Sequence, residues 1–241
     1  MDFAELWSGG PKYGNGRRAF PLMADSILLA DFAASDTARS VLDIGCGSGI
    51  IGLLIAWNNS AAHVTGIDIS QDAVMCTREN IAANSLDGRF DVRCGDIKDI
   101  ELTDGSFDLV VCNPPYFKKG REKSGEQKQR SCTAREESTA TLRDIVERAS
   151  TLLRPGGAFC LVLLPERLGE ALEAMTELEF SPARLRMVMH TETAAPSMAL
   201  IEAWLGATAE LEVLPPLILK DGSGAANSKD SEEIRRIYHM D

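Results

Sequence analysis

Histidine is scarce in this chain, with only His63, His190 and His239, and none of the three stands in a stretch that reads as a site. The six cysteines (46, 76, 94, 112, 132 and 160) include no C-x-x-C pair. Without paired thiols or clustered imidazoles the sequence offers no metal site. Several cysteines fall in apparent strands, where a buried thiol behaves as a small hydrophobe; this usage favours a reducing cytoplasm. No apolar run reaches the roughly 18 residues of a membrane span. Met1-Asp2-Phe3-Ala4-Glu5 lacks a basic n-region, so no secretory signal is expected. Cations are in the minority as well, 25 Lys and Arg against 36 Asp and Glu, a net charge of -11. Taken as a bulk property, that charge argues against a nucleic-acid partner.

What the chain does have is concentrated in a few places. Asn113-Pro114-Pro115-Tyr116 directly follows the apolar run Phe107-Asp108-Leu109-Val110-Val111-Cys112. The Asn side-chain oxygen and the Pro114 carbonyl can both accept from one NH2 group, and the proline rings fix φ so that the acceptors are held in advance. Tyr116 adds a flat face on which a planar base or amide can stack. A rigid strand exit would use the same prolines, and the upstream sequence weighs against that simpler reading. Val41-Leu42-Asp43-Ile44-Gly45-Cys46-Gly47-Ser48-Gly49, followed by Ile50 to Ala56, reads as strand, glycine loop and helix. Such glycines let the backbone approach a ligand, and the helix N-terminus faces the same crevice. The spacing is Gly-x-Gly-x-Gly, which departs from the dinucleotide fingerprint Gly-x-Gly-x-x-Gly. His63 to Asp68 reads as a second strand ending in a carboxylate able to accept from both ribose hydroxyls, with Ser70 the better N-cap for the next helix. Arg89 to Cys94 reads as a third strand, leading to Asp96, which could accept from an adenine amino group.

The length of 241 residues suits one large α/β domain, here taken as 1–241. Residues 1–20 are expected to be a flexible, glycine-punctuated arm and 222–241 a polar linker and C-terminal tail. Helices are predicted over Ala24 to Phe32, Gln71 to Ala83, Thr141 to Leu153 and Arg167 to Leu178. Arg154-Pro155-Gly156-Gly157 is read as a stop. Later strands are predicted at Ala158 to Leu164, Leu185 to Met189, Ala199 to Leu205 and Leu211 to Leu219, antiparallel in part, with Pro215-Pro216 placing the last on an edge. The distribution of charge also tempers its sum. From Lys118 to Arg135 seven basic residues face two acidic ones, a local net of +5. Lys12, Arg17 and Arg18 form a smaller cluster among glycines. Basic charge beside a site for a planar amine suits a phosphate-bearing substrate.

In this order, Asp43-Ile44-Gly45-Cys46-Gly47-Ser48-Gly49, Asp68, Asp96 and Asn113-Pro114-Pro115-Tyr116 resemble class I S-adenosylmethionine-dependent methyltransferases that modify planar nitrogens. More narrowly, the chain resembles the bacterial tRNA1(Val) adenine-N6 methyltransferase family. Phe20 to Ala30, Phe117 with the basic loop, Ala134-Arg135-Glu136-Glu137, and Pro215-Pro216-Leu217-Ile218 with Ile237-Tyr238 carry that narrower likeness. Glu136 stands where the family usually has His, and Met23-Ala24 where it has Lys and Thr types. The resemblance implies an α/β, Rossmann-like class I methyltransferase fold, a seven-stranded mostly parallel sheet with helices on both faces. It implies S-adenosyl-L-methionine held by Asp43, Gly45, Gly47, Gly49, Asp68, Ile69, Asp96, Ile97 and Asn113. It implies catalysis by Asn113, Pro114 and Tyr116, and tRNA contacts from Pro115, Phe117, Lys118, Lys119, Arg121 and Arg135. No metal and no membrane are implied, and a monomer is favoured. The rival readings are glutamine-amide methylation of release factors, DNA adenine methylation, and a non-catalytic RNA-binding relic. Glutamine-amide enzymes carry a helical domain ahead of the glycine motif, where about 40 residues stand here; a DNA enzyme would need a further target-reading domain.

Overall fold

The computed structural model describes residues 2–15, 24–114, 140–221 and 229–239. A two-stranded hairpin, β1 (Ala4–Glu5) and β2 (Lys12–Tyr13), precedes α1 (Ala24–Phe32). The alternating core follows as β3 (Ser40–Ile44), α2 (Ile50–Asn58), β4 (His63–Asp68), α3 (Gln71–Ala83), β5 (Phe90–Cys94) and β6 (Phe107–Cys112). After the segment that is not described come α4 (Leu142–Leu152), β7 (Leu153–Leu163), α5 (Leu168–Glu177), β8 (Phe180–Met189) and β9 (Pro196–Leu205). Two short strands, β10 (Glu212–Val213) and β11 (Leu217–Ile218), and α6 (Glu232–Ile237) complete the described chain.

Seven long strands form one sheet in the order β8-β9-β7-β6-β3-β4-β5. All are parallel to one another except β9, which runs antiparallel to both β7 and β8. The seven-stranded, mostly parallel sheet expected from the resemblance is the one found. β10 and β11 pair with the outer side of β8, one on each side of Pro215-Pro216. Proline has no N–H for a ladder, so this edge tolerates the break.

Both faces of the central strands β3 and β6 are covered, which is why these read as near-continuous apolar runs, whereas β5 leaves Asp91, Arg93 and Cys94 exposed. Alternate residues serve opposite faces. Val41, Leu109, Val111, Cys160 and Val162 pack with α1, α2 and α3. Leu42, Ile44, Val110, Cys112, Phe159 and Leu161 pack with α4 and α5. Local capping agrees with this layering: Ser70 caps α3 through the Ala73 amide, and Thr141 forms a capping box with Asp144 on α4.

Three boundaries differ from the sequence reading. The Arg154-Pro155-Gly156-Gly157 stop does end α4, but β7 begins at once at Leu153. The register between β6 and β7 then slips between the pairs Phe107–Leu153 and Leu109–Ala158, so the glycines sit in a bulge. β8 begins at Phe180, five residues before the expected start, because pairing to β9 carries it past Pro182. The third difference is the arm expected over 1–20. Over its described residues it is a hairpin docked on α3, where the side chains of Asn80 and Asn84 replace a sheet partner. Asn84 accepts from the Lys12 amide at 2.8 Å and donates to its carbonyl at 2.7 Å. Asn80 does the same for Gly14, at 2.8 and 2.9 Å.

Candidate functional site

In an open parallel sheet, ligands bind beyond the carboxyl ends of the strands where the strand order reverses. Here β3 leads to β4 and β5 on one side and has β6 on the other. Asp43 pairs with Val111 and Ile44 with Cys112, so the loops after β3 and β6 leave the sheet side by side. One carries the glycine motif and the other begins with Asn113-Pro114.

The glycine loop turns with positive φ at Gly45, Gly47 and Gly49 (70, 59 and 78°), a region that L side chains avoid. Gly45 and Cys46 donate their amides to the Ile67 carbonyl, at 2.8 and 2.9 Å. A Cβ at Gly47 would meet no atom of the described residues within 4 Å, so this side of the loop is open among them. The rest of the loop is held from behind. The Thr77 hydroxyl donates to the Gly47 carbonyl at 2.9 Å, and the Asn80 amide donates to the Ser48 carbonyl at 2.9 Å. Tyr13 of the hairpin shares a 2.7 Å hydroxyl–hydroxyl hydrogen bond with Ser48.

Asp68, at the end of β4, is buried. It accepts from the Gly47 amide at 2.8 Å and from the Ser70 amide at 2.9 Å, one bond on each oxygen. Burial raises its pKa, while those two amides work in the opposite direction. Each oxygen keeps lone-pair capacity for a hydroxyl donor. Asp43 is fully buried, and its Oδ2 accepts from the Gly52 amide at 3.1 Å in the first turn of α2. That contact supplies the cap missing at Gly49, which has no side chain. Its Oδ1 is buried with no hydrogen-bond partner. Burial pushes the Asp43 carboxyl up to about 7; the Gly52 amide lowers it and the Asp68 charge raises it further.

A folded pKa above the unfolded value means that the folded chain holds this proton more tightly. The stability Asp43 contributes is therefore complete below the unfolded value of 3.8 and is lost as pH rises through about 7. The expected result is a fall in the urea midpoint of the unliganded protein between about pH 5 and about pH 8, and a smaller fall in Asp43→Asn. Equal falls in the two proteins would remove Asp43 as the cause.

Asp96 lies beyond β5, half-buried, with its carboxylate accepting from the Lys98 amide at 3.0 Å and 3.7 Å from the Lys98 ammonium. Gly95 donates to the Asp68 carbonyl at 3.0 Å, which sets the Asp96 loop beside Asp68. Ile97 is buried, and Arg148 of α4 donates to its carbonyl at 3.1 Å; Ile69 is half-buried beside Asp68. Asn113 donates its amide to the Ser26 hydroxyl of α1 at 3.0 Å, and its Oδ1 is buried without a partner. Pro114 is buried. Asp43 Oδ1 and Asn113 Oδ1 are the two side-chain atoms among the described residues that are buried without a partner. They stand at the ends of adjacent strands.

Structure thus brings Asp43, Gly45, Gly47, Gly49, Asp68, Ile69, Asp96, Ile97, Asn113 and Pro114 to one end of the sheet. Pro115, Tyr116, Phe117, Lys118, Lys119, Arg121 and Arg135 lie outside the described residues. Sequence reasoning passed over the residues that hold the site: Ser26, Thr77, Asn80 and Tyr13. A possible signal was the polar face of α3, where Thr77 and Asn80 sit three residues apart, a spacing that puts both on one side of a helix.

Cys46 and Cys112, buried on the glycine loop and at the end of β6, supply no nucleophile here. Burial pushes the Cys46 and Cys112 thiols far up, so neither is a thiolate nucleophile at neutral pH. Among the described residues no group of three His, Cys, Asp or Glu side chains could hold a metal ion, and no helix is long and apolar enough to cross a membrane. A separate cavity of about 250 Å³, lined in part by Asp108, Arg154, Glu202 and Trp204, lies away from this crevice. Its acids are already engaged, Asp108 by Arg154 and the Arg39 and Ser40 amides, and Glu202 by Arg184 and the Trp204 indole.

Comparison with known proteins agrees with this architecture. The family model described as the methyltransferase small domain matches residues 23–180. A protein of Parabacteroides distasonis named tRNA1(Val) (adenine(37)-N6)-methyltransferase is 32% identical over 185 residues, 76% of each chain. One of the same name from Shewanella sediminis is 32% identical over 168 residues, 67% of each chain. A third, from Porphyromonas gingivalis, is 38% identical over 152 residues, and the match spans 60% of this chain but only 58% of that relative. Among solved structures, a predicted O-methyltransferase from Agrobacterium tumefaciens superposes with a TM-score of 0.70 at 22% identity, covering 90% of this chain and 96% of its own. Geranyl diphosphate methyltransferase in complex with SAM gives a TM-score of 0.55 at 15% identity over 75% and 84%. At such identities these two structures speak for the fold alone. The chain belongs to the methyltransferase small domain family, with the class I methyltransferase fold, and groups there with relatives named tRNA1(Val) (adenine(37)-N6)-methyltransferase.

Proposed function

We propose that this chain transfers a methyl group from S-adenosylmethionine to the exocyclic amine of an adenine in tRNA, the adenine 3′ of the anticodon. The observation that carries the reading is Asn113: a buried carbonyl oxygen without a partner, beside a glycine loop that faces open space. An NH2 group on a planar ring supplies the missing donor. The names of the relatives favour adenine and tRNA.

The residues present fit the cofactor. Asp68 offers acceptor capacity for ribose hydroxyls, Asp96 lies where an adenine amino group could donate, and Asp43 Oδ1 is an acceptor without a donor. When bound, S-adenosylmethionine supplies an electrophilic methyl on a sulfonium. Catalysis then rests largely on position. The substrate amine is a poor nucleophile because its lone pair is delocalised into the ring. Acceptance of its two N–H bonds by Asn113 Oδ1 and the Pro114 carbonyl draws the nitrogen toward sp3 and aims the lone pair. Orientation of this kind can remove about 7–11 kcal/mol of barrier. No imidazole base is needed, since the methylated ammonium is acidic and releases its proton to water. An anticodon-loop adenine is partly unpaired already, so extruding it costs less than for a duplex base.

The test is incubation with methyl-labelled S-adenosylmethionine and separate pools of tRNA, rRNA, DNA and release factor. Label should enter tRNA and emerge as N6-methyladenine after nuclease digestion. Preference for release factor would replace this reading with glutamine-amide methylation. The basic stretch is proposed to hold tRNA phosphates, mostly without regard to sequence. Neutralising Lys118, Lys119 and Arg121 together should raise KM for tRNA and lower the salt slope of binding by up to about 0.7 per lost contact. Cofactor affinity should stay at the wild-type value. Normal tRNA methylation by the triple variant would exclude this stretch from the RNA interface.

A further inference from the structure

We infer that Ser26 is a positioning residue for the methyl transfer, through the 3.0 Å hydrogen bond its hydroxyl accepts from the Asn113 side-chain amide. An Asn side chain rotates about a broad, roughly two-fold terminal torsion, so its packing alone does not hold the plane of the amide. Asn113 has two polar ends in the crevice. Its NH2 is satisfied by Ser26, and its Oδ1 is buried without a partner. An amine-bearing substrate needs that polarity, with the oxygen turned toward it and the NH2 turned away. An NH2 turned away inside the crevice still calls for an acceptor, and Ser26 Oγ is that acceptor.

Ser26 is itself well fixed. It is 8% exposed, and the Ile27, Leu28 and Leu29 that follow it are buried in the core. Its own amide donates to Asp25 Oδ1 at 2.7 Å. A serine near a helix start often caps that helix, but Ser26 is the third residue of α1, inside the first turn, and its hydroxyl points across to the end of β6. The contact joins residues 87 positions apart. α1 therefore carries part of the reaction geometry although it lies outside the glycine and Asn-Pro-Pro-Tyr motifs.

This inference rests on the proposed reading of Asn113 as acceptor for a planar amine, and the experiment separates the two. Ser26→Ala should lower kcat by about ten- to a hundredfold, the loss expected when a buried polar group loses its partner. Cofactor Kd should remain near wild type, the thermal midpoint should fall by only a few degrees, and Ser26→Thr, which restores the hydroxyl, should recover most of the rate. Independently of turnover, the Asn113 side-chain NH2 can be followed by 15N NMR, assigned by its loss in Asn113→Asp. Its protons should exchange with water faster in Ser26→Ala than in wild type. A wild-type kcat in Ser26→Ala, or unchanged NH2 exchange, overturns the inference. If the wild type methylates no adenine, the proposed function fails, and the NMR comparison still decides whether Ser26 holds the amide.

Discussion

Asn113→Ala is expected to lower turnover by roughly 10²–10³-fold, the usual loss when one preorganised hydrogen-bonding partner of a developing charge is removed. The variant deletes the acceptor whose Oδ1 is buried without a partner. Pro114 still presents a carbonyl, so a residue of activity should survive. Cofactor affinity should change by no more than a few-fold, because the glycine loop is held by Thr77, Asn80 and Asp68 without help from Asn113. Single-turnover rates combined with calorimetry would read both quantities. Wild-type turnover in this variant would sink the mechanism.

Gly47→Val should abolish measurable cofactor binding, an effect of about a hundredfold or more, for two separable reasons. A β-branched side chain at φ 59° costs about 1–2 kcal/mol of strain. Its methyls would also project into the open side of the loop, where no atom of the described residues lies within 4 Å of a Cβ. Gly105 provides the control. It has φ 63°, equally open surroundings, and a place in the turn ahead of β6, with its amide on the Thr151 carbonyl. Gly105→Val should cost similar stability and leave affinity intact. Calorimetric titration giving Gly47→Val the wild-type Kd would remove the loop from the cofactor site.

The core was legible because its chemistry is local. A strand buried on both faces reads as a near-continuous apolar run, so Leu109 to Cys112, and Val41 to Ile44 with Asp43 its one polar residue, announce themselves in any window. The glycines announce themselves through backbone geometry that other residues rarely adopt. Ser26, Thr77 and Asn80 carry no such mark. Their importance lies in partners 87, 30 and 32 residues away, and an isolated serine or asparagine on a helix looks the same whether or not it has one. The hairpin was misread for the same reason, as its polar, glycine-rich sequence is that of a free arm until Asn80 and Asn84 are placed beside it. The early part of β8 was missed because Ser181, Pro182 and Arg184 break its apolar pattern. Arg184 is accommodated by pairing with the buried Glu202, and Arg186 by a bidentate pair with Glu233 of α6.

Docking of the hairpin on α3 also bears on how the protein is made. Lys12 and Gly14 leave the ribosome well before Asn84 and Asn80, the residues that receive them 72 and 66 positions later. Nascent chains emerge at about 5–20 residues per second, so this segment has several seconds without its partners. Because Tyr13 meets Ser48 on the glycine loop, the loop acquires its last support only after α3 has been synthesised. The hairpin thus settles only after α3 has emerged, and a nascent chain arrested before α3 should still be open to proteases there.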